Sequence, residues 1–143
     1  MENGRYLQNK LIVHFIDKIP SDVSETFIAK VDEGNRISSS RNHTATHLLH
    51  ESLINILGEH VSQKGSLVNP QYLRFDFSHF EKIEKEQIKR IEEDVNTKIL
   101  ANIILQEHNN LPLSKADGLG AIMLFGEKYE DVVRMIQFEA SKE

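Results

Sequence analysis

The sequence predicts an α+β fold in which helices pack on one mainly antiparallel sheet. Two segments carry apolar residues at helical spacing, whereas most other apolar segments have strand character. The predicted strands and helices do not alternate strictly, which disfavours a parallel sheet built from βαβ units. The chain has 143 residues, of which 39% are apolar, so we expect one soluble domain over residues 1–143.

Two strands are predicted ahead of the first helix. Residues 10–19 are rich in β-branched and aromatic side chains and are followed by Pro20. Residues 25–32 show a period of two that is typical of a half-buried strand. The letters "EGNR" at 33–36 then indicate a turn before the helix.

The first helix is predicted over residues 42–57, where apolar residues recur every three or four positions. Residues 38–40, all serine, and Asn42 are the candidate N-caps. Gly58 is placed to end the helix.

Two strands, over residues 60–68 and 71–79, are predicted to follow and to join near "NPQ". Leu73, Phe75 and Phe77 should share one face of the second strand. On the other face, Arg74 and Asp76 are expected to form a solvated or cross-strand pair.

A long amphipathic helix is predicted over residues 81–106, lying on the sheet. Its apolar residues do not keep a heptad, which disfavours a coiled coil. Residues 109–120 suggest a short strand, a turn of helix and a glycine break. Residues 121–138 suggest a strand, a turn at Gly126 and a final strand over 132–138.

Composition excludes several classes of protein. The net charge of −5 means that a nucleic-acid contact would need a local basic patch. No apolar run approaches the roughly 18–20 residues of a membrane helix, and the start lacks a signal peptide, so we expect a cytoplasmic location. The absence of cysteine excludes disulfides and removes the commonest soft ligand of zinc.

Three histidines share one face of the first predicted helix. His43 and His47 are four residues apart, within reach of a common ion, and His50 lies three residues further on. With seven histidines in the chain, the expected number of pairs at this spacing by chance is about one third. Hydrogen-bonded histidines without metal are therefore an alternative. Thr44 excludes the metalloprotease pattern, which needs glutamate directly after the first histidine.

Three stretches of the chain together carry a family resemblance. They are "RNHTATHLLH" at 41–50, "QKGSLVNPQYLRFDFSH" at 63–79 and "GAIMLFGEKYEDVVR" at 120–134. In this order and spacing they closely resemble the editing domains of alanyl-tRNA synthetases, from about residue 27 onward. "GSLV…LRFDFSH" with "LFGEKY" separates this family from threonyl-tRNA synthetase editing domains and from free-standing AlaX deacylases.

The resemblance implies an α+β fold with a curved antiparallel sheet and hydrolysis of tRNA(Ala) wrongly charged with serine or glycine. It implies that His43 and His47 are zinc ligands, and that Gln63 lies near the site and influences catalysis. On spacing alone, Gln63 would be an ordinary exposed amide.

The sequence also departs from the family pattern. The family completes its zinc site with a later Cys-x-x-x-His that this chain lacks, so we expect a truncated editing domain of a larger synthetase. The candidates to replace the missing ligands are His50, His79 and a carboxylate. Nothing in the sequence places any of them at the site. Glu130 replaces a glycine usual in the family. A non-catalytic tRNA-binding or structural module, and an AlaX-type free-standing deacylase, remain the alternatives.

Overall fold

The structure is a computed structural model that describes residues 5–7, 11–13, 16–123 and 128–139. The chain divides into two compact units, residues 1–31 and residues 32–143, and each is described here by itself. Within the described residues, no helix has the length and apolar character needed to cross a membrane.

The first unit contains a short antiparallel pair of strands, β1 (Arg5–Leu7) and β2 (Leu11–Val13). The strand predicted over residues 10–19 is therefore confirmed for Leu11–Val13, whereas residues 16–19 are irregular and positions 10, 14 and 15 lie outside the described residues.

The strand predicted over residues 25–32 is wrong. This segment has no regular secondary structure, and Phe27, Ile28 and Val31 are exposed. A period of two describes only how side chains would alternate, while a strand also needs a neighbour for its backbone N–H and C=O groups. In the described part of the chain no strand pairs with this segment.

The second unit begins with helix α1 (Glu33–Leu57), which starts nine residues before the predicted position. Asp32 is the N-cap, and its side chain accepts a hydrogen bond of 2.7 Å from the backbone N–H of Asn35. The turn predicted at 33–36 and the serine caps at 38–40 are therefore wrong, because Asp32 satisfies the free N–H groups earlier in the chain. The predicted end is confirmed at Gly58, which has φ of 114°.

The predicted hairpin is confirmed as β3 (Gln63–Val68) and β4 (Leu73–Phe77), which pair antiparallel. A bulge lies between Gln63 and Gly65. As predicted, the three apolar side chains of β4 are half-buried and alternate with exposed Arg74 and Asp76, which form an ion pair of 3.1 Å.

Helix α2 (Lys85–Leu100) is shorter than predicted and packs against α1. Ser52 of α1 is fully buried, and its hydroxyl donates to the backbone carbonyl of Ile91 at 3.5 Å. The small side chain of Ser52 thus lets the two helices approach closely. The prediction that this helix lies on the sheet is wrong, because among the described elements α2 packs against α1 and against no strand. Its one buried apolar residue, Ile91, joins a cluster with Leu53 and Val61.

The last elements are β5 (Ile104–Pro112), α3 (Leu113–Gly118) and β6 (Val132–Glu139). Strands β5 and β6 pair antiparallel, and α3 packs against both of them. The predicted strand, helical turn and glycine break are confirmed, as is the final strand. Residues 121–123 are irregular rather than a strand, and the turn predicted at Gly126 lies outside the described residues.

The α+β class is confirmed, but the single sheet is wrong. The strands of the described segments form three separate antiparallel pairs, β1–β2, β3–β4 and β5–β6. Apolar patterns show which residues belong to strands, whereas the number of sheets depends on which strand edges meet in space.

Replacing Gly58 by alanine tests how the C-terminal end of α1 is built. A Cβ atom at this position would lie 3.1 Å from Nδ1 of His60, and φ of 114° is strained for a residue with a side chain. We expect Gly58→Ala to lower the free energy of unfolding by about 1–3 kcal/mol in urea denaturation.

Gly118→Ala is the matched control, because no atom lies within 4 Å of its Cβ position. It should leave stability unchanged or raise it by less than about 1 kcal/mol. Equal effects of the two substitutions would contradict this account of the end of α1.

Candidate functional site

The three histidines of α1 occupy different environments. His43 and His47 are exposed, whereas His50 is 6% exposed and packs its ring against Phe75 of β4 with the centroids 5.1 Å apart. Helical spacing places all three histidines on one face of α1, but the hairpin covers only His50. The structure therefore separates an open pair from a buried histidine.

The rings of His43 and His47 lie in contact with each other. Their Nε2 atoms are 3.3 Å apart, while the ring centroids are 4.8 Å apart and the planes cross at 64°. The centroid separation exceeds the nitrogen separation by only about 1.5 Å, which is less than two imidazole radii, so the two nitrogens do not both lie on the line between the centroids. Two nitrogens bound to one tetrahedral zinc at 2.0–2.1 Å would be about 3.3–3.4 Å apart.

Burial and neighbouring charge lower the pKa of two of these histidines, His47 and His50. Partial burial of the ring lowers the pKa of His47 although the side chain as a whole is exposed, and the charges of His43 and His50 lower it further. Burial alone lowers the pKa of His50. Since a metal binds the neutral form of histidine, the shift at His47 favours coordination over protonation.

Hydrogen bonds fix the N-terminal half of α1 beside the hairpin turn. The side-chain amide of Asn42 donates to the backbone carbonyl of Asn69 at 2.8 Å. Buried Thr46 donates its hydroxyl to the carbonyl of Asn42, also at 2.8 Å. Both contacts hold the backbone that carries His43 and His47.

The pair of histidines supplies two possible ligands. Among the described residues, no group of three or more histidine, aspartate or glutamate side chains is arranged to hold a metal ion. His50 faces Phe75, and His79 is hydrogen-bonded to His60 at 2.8 Å. The residues present therefore fit two positions of a zinc site, and the metal itself stays a prediction.

Gln63 lies at the start of β3, beside the bulge. Its side-chain amide donates to the hydroxyl of Ser66 at 3.2 Å. In the part of the chain that the structure describes, no hydrogen bond or ring contact joins Gln63 to His43 or His47. The role assigned to Gln63 by resemblance stays a prediction.

Sequence reasoning missed a second histidine pair. His60 and His79 are 19 residues apart, on either side of the hairpin, and Phe80 packs against His60 with a centroid distance of 4.6 Å. No helical or strand period links positions 60 and 79. Only the antiparallel pairing of β3 with β4 brings them together.

Comparison with known proteins finds similar sequences among the alanine–tRNA ligases. No protein-family model matches the chain. It is 54% identical over 136 residues to the alanine–tRNA ligase of Flavobacterium psychrophilum, 52% to that of Parabacteroides distasonis and 53% to that of Bacteroides fragilis. The chain is a homologue of one segment of the alanine–tRNA ligases. Each alignment covers 95% of this chain but only 15–16% of the ligase, so the chain spans about a sixth of these relatives.

The buried histidine beside the pair predicts a dependence of stability on pH. Because burial lowers the pKa of His50, the unfolded chain binds more protons than the folded chain as pH falls below 6.5. The contribution of His50 to the free energy of unfolding is therefore fully present above this pH. It is lost as the pH falls through the lowered pKa of His50 in the folded chain.

We expect His50→Leu, which cannot titrate, to lose less unfolding free energy than the unchanged chain between about pH 7.5 and about pH 5.5. Urea denaturation at both pH values measures the difference. An identical loss in both proteins would contradict this role of His50.

Proposed function

We propose that this chain carries the histidine half of a zinc site that hydrolyses wrongly aminoacylated tRNA(Ala), as part of an alanine–tRNA ligase. The observation that supports the proposal best is the 3.3 Å separation of the Nε2 atoms of His43 and His47, which matches that of two ligands on one tetrahedral zinc ion. The identity of 46–54% to segments of alanine–tRNA ligases supports the choice of substrate.

His43 and His47 would hold the metal through their Nε2 atoms, and a Cys-x-x-x-His pair outside this chain would complete the site. Bound zinc with an open position supplies a water of pKa near 7 and polarises an ester carbonyl. The lowered pKa of His47 favours the neutral form, which is the form that binds a metal. Asn42, bonded to the hairpin turn, holds the helical backbone that orients both rings.

Gln63 is proposed as the residue that orients the substrate or the attacking water. Its amide offers two N–H donors and one carbonyl acceptor, and one donor contacts Ser66. A site that hydrogen-bonds the hydroxyl of serine can reject alanine strongly, because the partner group would be left unpaired with alanine. Hydrolysis would then be directed at the mischarged ester.

A second candidate is a non-catalytic tRNA-binding or structural module. It is favoured by the ligand count, since the described residues bring only two metal-binding side chains together at this site. The two candidates differ in whether zinc and hydrolysis depend on the same histidines.

Zinc titration tests the proposed ligands. We expect the 143-residue chain to bind zinc weakly, because two imidazoles leave the other positions to water. His47→Gln should weaken binding by about tenfold or more in calorimetry.

His108→Gln is the control for zinc binding, since His108 lies on β5 and contacts Gln137 instead. A tightly held, stoichiometric zinc in the purified chain would contradict the two-ligand account. Equal losses in both variants would contradict the assignment to His47.

Hydrolysis of Ser-tRNA(Ala) tests the activity. We expect zinc-dependent deacylation by a longer ligase chain that includes the Cys-x-x-x-His pair, and little by the 143-residue chain. Gln63→Ala should lower kcat/KM of the longer chain by about 10–100-fold, because one preorganised hydrogen bond is lost.

Gln71→Ala, at an exposed glutamine of the hairpin turn, is the matched control and should retain full activity. Unchanged deacylation in Gln63→Ala would rule out its proposed role. Equal activity of the short and long chains would show that the additional ligands are unnecessary.

A further inference from the structure

The contacts between the two strands β3 and β4 continue past the bulge through backbone and side-chain hydrogen bonds. Gln63 pairs with Phe77, and beyond that pair the backbone N–H of Ser78 donates to the carbonyl of Ser62 at 3.0 Å. The hydroxyls of Ser62 and Ser78 contact each other at 2.9 Å, and Ser62 N–H donates to the Ser78 hydroxyl at 3.2 Å. The contact between His60 and His79 lies beyond these serines.

The rings of His60 and His79 are hydrogen-bonded head to head. Nε2 of His60 lies 2.8 Å from Nδ1 of His79, the centroids are 5.1 Å apart and the planes differ by 19°. The centroid separation exceeds the nitrogen separation by about 2.3 Å, which is about two imidazole radii, so both nitrogens lie on the line between the centroids. One ring therefore donates its N–H directly to the lone pair of the other.

This arrangement contrasts with that of His43 and His47. There the Nε2 atoms are in a longer contact of 3.3 Å, the ring planes cross at 64°, and the nitrogens are not in line with both centroids. In His60 and His79 the facing nitrogens are occupied by each other.

Packing fixes the ring of His60 in this orientation. Phe80 stacks on it at 25°, and Gly58 lies so close that a Cβ there would be 3.1 Å from Nδ1 of His60. The backbone carbonyl of His60 also accepts from the hydroxyl of Ser78 at 3.3 Å. The hydrogen bond to His79 thus joins two segments that are each held by other contacts.

The bulge explains why such a contact is needed. A bulge leaves one residue unpaired and weakens the register of the strand that carries it. The bulge separates Gln63 from the regular part of the hairpin. The regular strand pairing of residues 65–68 therefore does not fix the position of Gln63. Among the described residues, the hydrogen bonds between the two segments beyond Gln63 involve Ser62, Ser78, His60 and His79.

We propose that His60 and His79 are positioning residues that fix Gln63 through their N–H···N hydrogen bond. The importance of this bond for hydrolysis rests on the proposed function of Gln63, whereas the bond and its effect on the Gln63 side chain do not. Neither histidine is proposed to touch the substrate.

Four substitutions separate the hydrogen bond from side-chain bulk. An asparagine places its polar group near the position of Nδ1, and a glutamine places its polar group near the position of Nε2. His60→Gln and His79→Asn should therefore keep the bond, whereas His60→Asn and His79→Gln should lose it. The set that keeps the bond and the set that loses it each contain one asparagine and one glutamine, at exchanged positions.

Nuclear magnetic resonance of the 143-residue chain tests the bond without any assay of activity. We expect a scalar coupling across the hydrogen bond between Nε2 of His60 and Nδ1 of His79 in the unchanged chain. We also expect the side-chain amide signals of Gln63 to move in His60→Asn and His79→Gln, and to stay in place in His60→Gln and His79→Asn.

Absence of the coupling in the unchanged chain would overturn the proposed bond, and this measurement needs no variant. Gln63 signals that stay in place in all four variants would overturn the positioning role. Signals that move equally in all four would also overturn it, because the effect would then follow the loss of the ring and not of the bond.

Hydrolysis of Ser-tRNA(Ala) by the longer ligase chain gives the functional result. His60→Asn and His79→Gln should lower kcat about tenfold with less than about a twofold change in KM, and the exchanged variants should retain activity. If Gln63→Ala is fully active while the signals of Gln63 follow the predicted pattern, the proposed function of Gln63 fails and the positioning bond stands.

Discussion

The second unit depends on the burial of one face of helix α1 against α2 and the β3–β4 hairpin. Leu53, Val61 and Ile91 form the buried cluster, and Phe75 and Phe77 pack against it from β4. Burying each large apolar side chain contributes about 1.5–3 kcal/mol, whereas the pair between Lys98 and partly exposed Glu51 contributes about 1 kcal/mol or less. Apolar burial therefore decides how α1 lies, and the ion pair adds little.

The position of α1 gives the histidines their different properties. The hairpin covers His50 but leaves His43 and His47 open, and the same hairpin brings His60 to His79. One unit thus contains two histidine pairs of different geometry. The 3.3 Å separation of the nitrogens of His43 and His47 matches that of two ligands on one zinc ion, whereas His60 and His79 have the in-line geometry of a hydrogen bond between strands.

Much of the fold could be predicted from local patterns, and the errors have two causes. The hairpin around "NPQ", the end of α1 at Gly58 and the last strand follow from turn residues and alternation. The early start of α1 depends on capping by Asp32, and the irregular course of residues 25–31 depends on the lack of a pairing strand in the described segments. Propensity does not report whether a partner is available in space.

The sequence by itself determined the α+β class, the four-residue spacing of His43 and His47 and the similarity to a segment of the alanine–tRNA ligases, because these depend on neighbouring residues or on the order of residues along the chain. Only the tertiary structure decided that the strands form three separate pairs, that α2 packs on α1 through Ser52, and that His60 meets His79. These contacts join residues that are 19 or 39 positions apart, and they depend on which helix faces and strand edges are buried together. The local periodicity of the sequence does not predict them.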